Sequence, residues 1–161
     1  MLRLMNIQLS KRHRFADWPN ADVPRVAIGV YLIWDGDEFV YCGMSGRDLR
    51  EVVEASKKKG LTTRLDSHAG GRLSGDQFCV YVANRFIIPR LTQDQLPRFQ
   101  KGDLTLDQLT KEYIRKRLEY QFAVVSTGKE ARDLEAAYRN GTMLGAKPLL
   151  NPAKDSYRRK P

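Results

Sequence analysis

Apolar positions fall first into strand-like runs and then into helical stripes. Positions 26–34 (VAIGVYLIW) and 39–43 (FVYCG) are rich in β-branched and aromatic residues, and Asp35-Gly36-Asp37-Glu38 separates them. Asp-Gly between two such runs predicts a β-hairpin, because glycine readily takes the positive φ that tight turns need. Downstream, Leu49, Val52 and Val53 have helical spacing, as do Leu61 and Leu65, with Thr62 or Thr63 available as a cap. Positions 70–77 (GGRLSGDQ) predict a mobile polar loop, and the apolar run 78–88 (FCVYVANRFII) predicts a third strand ended by Pro89. Thr105 and Gln108 have capping-box spacing and open a helix through Arg117. Positions 118–127 then predict a buried strand. Ser126 or Thr127 caps a helix whose inner stripe is Ala131, Leu134, Ala137 and Tyr138, and Gly141 ends it. The expected fold is α/β: a small, mostly antiparallel sheet of three to four strands flanked by helices.

The chain has 161 residues, enough for one domain with a real core. Its organisation reads as a basic N-terminal arm over 1–25, a domain over 26–152 with an added segment at 71–118, and a basic tail over 153–161. Trp18 is expected to pack against the domain. No apolar run approaches the ~20 residues of a membrane span, and the first residues lack a stretch of signal-peptide length. A cytoplasmic protein is expected, nucleoid-associated if bacterial. Cys42 and Cys79 are isolated within apolar runs and read as buried free thiols.

Charge sharpens this picture. Lys and Arg number 28 against 19 Asp and Glu, a net of +9. A polyanion is the simplest partner for that excess. Lys57, Lys58 and Lys59 form a basic run, Arg72 sits in the polar loop, and the backbone at Ser45-Gly46 can offer N–H groups to a phosphate. A solvated face is the plain alternative for the lysine run.

The hairpin also carries chemistry. Gly29 and Tyr31 are two apart on one run, and Tyr41 and Gly43 are two apart on the next, so each pair shares a strand face. Each glycine is expected to clear space beside the phenol on its own strand. Arg64 and His68 are four apart and share a helix face. Glu135 follows Leu134, about 100° round its helix, so it flanks the core. Two phenols, a guanidinium and an imidazole can therefore converge.

This set resembles the GIY-YIG nuclease superfamily. GVY at 29–31 and YCG at 41–43 stand for its two half-motifs, with Val30 and Cys42 in place of isoleucine. Arg64 with His68 matches its arginine and histidine, ARDLEAAYRNG places its glutamate at Glu135, and KPLLNP places its asparagine at Asn151. The resemblance implies a DNA endonuclease with Tyr31, Tyr41, Arg64, His68, Glu135 and Asn151 in the active site and Mg²⁺, or Mn²⁺ in its place, on Glu135. One well-placed acid favours a one-metal mechanism, with Asp66 and Asp76 the nearest alternative acids. Tyr31 would act as general base, although a free phenol titrates near ~10. His68 competes for that role, since imidazole trades protons near neutral pH. Tyr41 would position water or phosphate, Arg64 would pair with the scissile phosphate, and Asn151 would brace the tail. Cutting both strands from one site calls for a homodimer or two successive events. The rival reading is a non-catalytic nucleic-acid-binding module on the same fold.

Overall fold

The structure, a computed structural model, describes residues 7–46 and 60–152. Four strands form one sheet, β1 (His13–Arg14), β2 (Ile28–Asp35), β3 (Glu38–Ser45) and β4 (Leu118–Val125). Their order is β1-β4-β2-β3, and every pairing is antiparallel. Helices α1 (Leu61–Gly70), α2 (Gln77–Val82), α3 (Leu96–Lys101), α4 (Leu106–Arg117) and α5 (Gly128–Arg139) complete the fold. The α/β architecture read from the sequence is the one observed.

The hairpin forms as expected, with Gly36 at φ +59° in the turn. β2 is an interior strand, and the segments packed on either side of the sheet cover both of its faces. Tyr31 and Ile33 join a core with Leu61, Leu65, Phe78 and Ile114, whereas Ile28, Val30 and Leu32 pack with Ala131, Leu134 and Tyr138 of α5. This two-sided burial explains why the run is continuously apolar rather than alternating. Ile33 pairs with Tyr41 and Trp34 with Phe39, which leaves Val40 as the extra residue of a bulge.

β3 is the edge strand, and the C-terminal stretch covers it. Leu149 N–H donates to the Phe39 carbonyl at 3.0 Å and Leu150 N–H to the Val40 carbonyl at 2.8 Å. Asn151 continues this pairing through its side chain: Oδ1 accepts from Cys42 N–H at 2.8 Å, and Nδ2 donates to the Cys42 carbonyl at 2.9 Å. The tail thus occupies pairing groups of the edge strand between Phe39 and Cys42.

Several local expectations change. The run 78–88 is helical, not a strand. Asp76 Oδ1 accepts from Phe78 N–H and Cys79 N–H at the start of α2. Buried Phe78, Cys79, Val82, Ala83, Phe86 and Ile87 then follow a helical stripe through a π-type turn over Ala83–Ile87. The cap and the stripe override a β-rich composition. Helix α1 starts from Gly60 without a side-chain cap, and Thr62 donates instead to the Pro24 carbonyl at 2.8 Å. The stretch read as an irregular arm carries β1 and buries Phe15, Trp18 and Val23. Arg115 ties it down by donating to the Phe15 and Trp18 carbonyls. The polar loop before α2 is anchored by Leu73 N–H donating to Asp107 at 3.1 Å. By contrast, α4 keeps its expected capping box, and Thr127 caps α5. The helix expected over Leu49, Val52 and Val53 lies outside the described residues, as does the basic tail from 153 onward. Among the described residues, no helix is long and apolar enough to cross a membrane.

Candidate active site

Tyr31 projects from β2 toward α1 and α2 and is 2% exposed. Its register partner on β3 is Gly43. A Cβ at position 43 would lie 2.2 Å from the Tyr31 hydroxyl oxygen, so only glycine lets the phenol cross β3 there. The glycine–tyrosine assignment made from sequence changes accordingly. Gly43 makes room for Tyr31 across the hairpin, and Gly29 makes room for backbone, since its Cβ would lie 2.1 Å from the Ala123 carbonyl oxygen. Tyr41 sits diagonally across the hairpin, with ring centroids 6.4 Å apart.

Helix α1 brings His68 against both phenols. Its Nε2 lies 2.8 Å from the Tyr31 hydroxyl. The imidazole and Tyr41 ring centroids are 6.1 Å apart, and Phe78 packs on the imidazole at 4.6 Å. His68 Nδ1 lies 2.7 Å from Asp76 Oδ2, which also accepts from the Ser67 hydroxyl at 2.6 Å. His68 is 4% exposed and Asp76 is 7% exposed. Tyr31, His68 and Asp76 therefore form one buried chain. Burial pushes the Asp76 carboxyl up, but hydrogen bonds from His68, Ser67 and Cys79 N–H outweigh it and hold the group below its ordinary value. Asp76 is thus a carboxylate at neutral pH. It is committed to His68 and the helix cap rather than offered as the spare metal acid considered from sequence. Asp66, the other spare, accepts from the Trp18 indole N–H at 2.9 Å.

Both phenols are held neutral. Burial raises the Tyr31 pKa well above its usual value; Tyr41 and Asp76 add to the rise, and the Arg64 guanidinium opposes it. Burial likewise raises Tyr41, with the charge of Glu135 as the next cause. Arg64 itself is exposed on α1, and among the described residues its guanidinium makes no ion pair.

A second group of residues lies beside the edge of β3, where Asn151 bonds Cys42. Glu135 lines a cleft of about 710 Å³ together with Arg132, Arg139, Lys147 and Asn151. That volume lies within the range of ligand sites. Arg139 approaches Glu135 at 3.7 Å and also donates to the Pro152 carbonyl at 3.1 Å, which pins the chain at the cleft's rim. Asn151 braces the tail on Cys42, as expected. Among the described residues, no three His, Cys, Asp or Glu side chains cluster as a metal cage. Asp133 also lines the cleft but pairs with Lys129 at 2.7 Å, and Glu135 as one carboxylate suits a Mg²⁺ that keeps most of its waters rather than an all-protein site.

The proposed substrate contacts are less concentrated. Ser45 is 2% exposed, and its hydroxyl donates to the Ala27 carbonyl at 3.1 Å, so its side chain is occupied internally. Arg72 is exposed after α1, and Lys57, Lys58 and Lys59 lie outside the described residues. Sequence reasoning missed three cations of the cleft. Arg132, Glu135 and Arg139 are spaced three and four apart, a one-face pattern that would have flagged two of them. Lys147 carried no such signal, because only the returning tail brings it there. Nor was Asp76 recognised as the partner of His68. Its signal was an Asp placed just before an apolar run, the position of a helix cap.

No protein-family model matches the chain, and neither does any curated protein or solved structure.

Proposed function

We propose that the protein is a metal-dependent DNA endonuclease of the GIY-YIG type, hydrolysing phosphodiester bonds with one metal ion. The observation that carries this reading is the junction at β3. Two neutral phenols and an imidazole meet on one side of the strand, and a carboxylate among arginines lines a cleft with Asn151, which is bonded to the edge of β3. Hydrolysis needs a proton acceptor for water and positive charge for the phosphoryl oxygens. Tyr31 with His68 supplies the first, and Arg64, Arg132, Arg139 and Lys147 supply part of the second.

In this reading Glu135 would hold Mg²⁺, or Mn²⁺ in its place. The ion, when bound, would stabilise charge on the phosphoryl group and the leaving oxygen. The water oxygen forms the new bond to phosphorus, its proton goes to the tyrosine–histidine pair, and the bond to the leaving oxygen breaks. That oxygen departs with a proton from solvent. Tyr41 orients the phosphate or the water, and Asn151 keeps β3 and the cleft in register.

Supercoiled plasmid incubated with and without Mg²⁺ or Mn²⁺, beside Glu135→Ala, tests the proposal. Metal-dependent nicking that the variant lacks, with DNA affinity retained, is the expected result. A variant that cuts at the wild-type rate would remove Glu135 from the metal site. The near-complete burial of Tyr31 and His68 favours the second reading, a nucleic-acid-binding module in which the chain is a structural network. That reading predicts a gel shift that fades with salt and no strand scission under any metal.

A further inference from the structure

We propose that Asp76 is a positioning residue that holds His68 as its Nδ1–H tautomer, leaving Nε2 as the acceptor for the Tyr31 phenol proton. The catalytic consequence rests on the nuclease reading above; the tautomer does not.

The argument begins with donors and acceptors. Asp76 Oδ1 is occupied by Phe78 N–H at 3.0 Å and Cys79 N–H at 3.4 Å. Oδ2 receives the Ser67 hydroxyl at 2.6 Å and faces His68 Nδ1 at 2.7 Å. An ionised carboxylate only accepts hydrogen bonds, and three donors independent of His68, the Ser67 hydroxyl and the Phe78 and Cys79 N–H groups, favour that ionised form. Nδ1 must therefore carry a proton. In the neutral ring Nε2 is then an acceptor, and the atom facing it at 2.8 Å is the Tyr31 hydroxyl, which donates. The direction of the whole chain follows: phenol to imidazole to carboxylate. The dyad is enclosed, with both side chains 5% exposed, so water does not compete for Nδ1.

The chemistry balances along the same line. When the Tyr31 O–H bond breaks, the proton joins Nε2. An imidazolium then lies between a phenolate and a carboxylate, and the positive charge of Arg64 favours the phenolate. The phenolate accepts the proton of the attacking water. Asp76 touches no substrate in this scheme and acts only through His68. The function is thus to make a strongly raised phenol usable near neutral pH, which charge from Arg64 alone does not do.

Asp76→Asn is the informative variant. Asparagine is as good an N-cap as aspartate, and the two cap N–H groups require its carbonyl oxygen at the Oδ1 position. Its NH₂ then occupies the Oδ2 position and donates to Nδ1, which forces His68 into the Nε2–H tautomer. That ring donates to Tyr31 and cannot take its proton. Nitrogen-15 NMR of uniformly labelled protein reads the tautomer directly and does not depend on activity.

A protonated Nδ1 in the wild type, a protonated Nε2 in Asp76→Asn, and plasmid cleavage lowered about 10²–10⁴-fold with unchanged melting and DNA affinity are expected. A wild-type His68 protonated at Nε2 overturns the assignment without any variant. An Asp76→Asn protein that shows the reversed tautomer yet cleaves at the wild-type rate overturns the positioning role in cleavage. A wild type that cleaves nothing, yet shows the expected tautomer and its reversal, overturns the nuclease reading and keeps the assignment.

Discussion

The Tyr31 hydroxyl occupies the space that a side chain at position 43 would need. Gly43→Ala should therefore force the phenol off His68 or open the hairpin. Overpacking of this kind costs about 1–3 kcal/mol. We expect a lowered denaturation midpoint and cleavage reduced well beyond what the lost folded fraction explains. An alanine variant with wild-type stability and rate would show that the phenol need not cross β3. At this scale the sequence supplied residue types and spacings: Tyr31, Tyr41 and His68, which the structure brings together, were legible as a set. It did not supply partners. Asp76 lies eight positions from His68 and reads as one more acid in a polar loop until α2 turns it inward. The glycine–tyrosine pairing was misjudged for a similar reason, since spacing along one strand says nothing about which residue stands opposite.

Among the elements, the returning tail is the least ordinary. It uses main-chain pairing at Leu149 and Leu150, then the Asn151 amide, to close the edge of β3. Removing both Asn151 bonds should cost about 1–3 kcal/mol at 0.5–1.5 kcal/mol each. For Asn151→Ala we predict faster amide exchange at Leu149 and Leu150, with exchange in β2 unchanged. Equal protection of the tail in variant and wild type would mean that Asn151 contributes nothing to its closure. Capping and amphipathic signals predicted α4 and α5 well, because those signals are local. The run 78–88 went wrong because β-branched and aromatic residues suit a strand and a buried helix equally. Only the cap from Asp76 and the packing against β2 and α4 decide between them.

Across the whole molecule, buried phenols set the response to pH. Tyr31, Tyr41, Tyr120 and Tyr138 all have raised values, burial being the first cause in each. In the unfolded chain a phenol ionises near about 10, while the folded chain retains these protons. The unfolded state then binds fewer protons, so stability falls as pH rises above that point. Thermal melts from pH 8 to 11 should show a declining midpoint, and Tyr31→Phe should flatten part of the decline. A wild-type midpoint that stays level over that range would contradict the burial of these rings. The sequence by itself determined the hairpin, the caps of α4 and α5, the basic balance and the residue types of the candidate site, because each depends on neighbours in the chain or on composition alone. Tertiary structure decided that β3 is closed by the tail, that 78–88 is helical, that Arg139 and Lys147 line the Glu135 cleft, and that Asp76 faces His68. Those depend on which distant surfaces meet, and that is set by the burial of the whole chain at once.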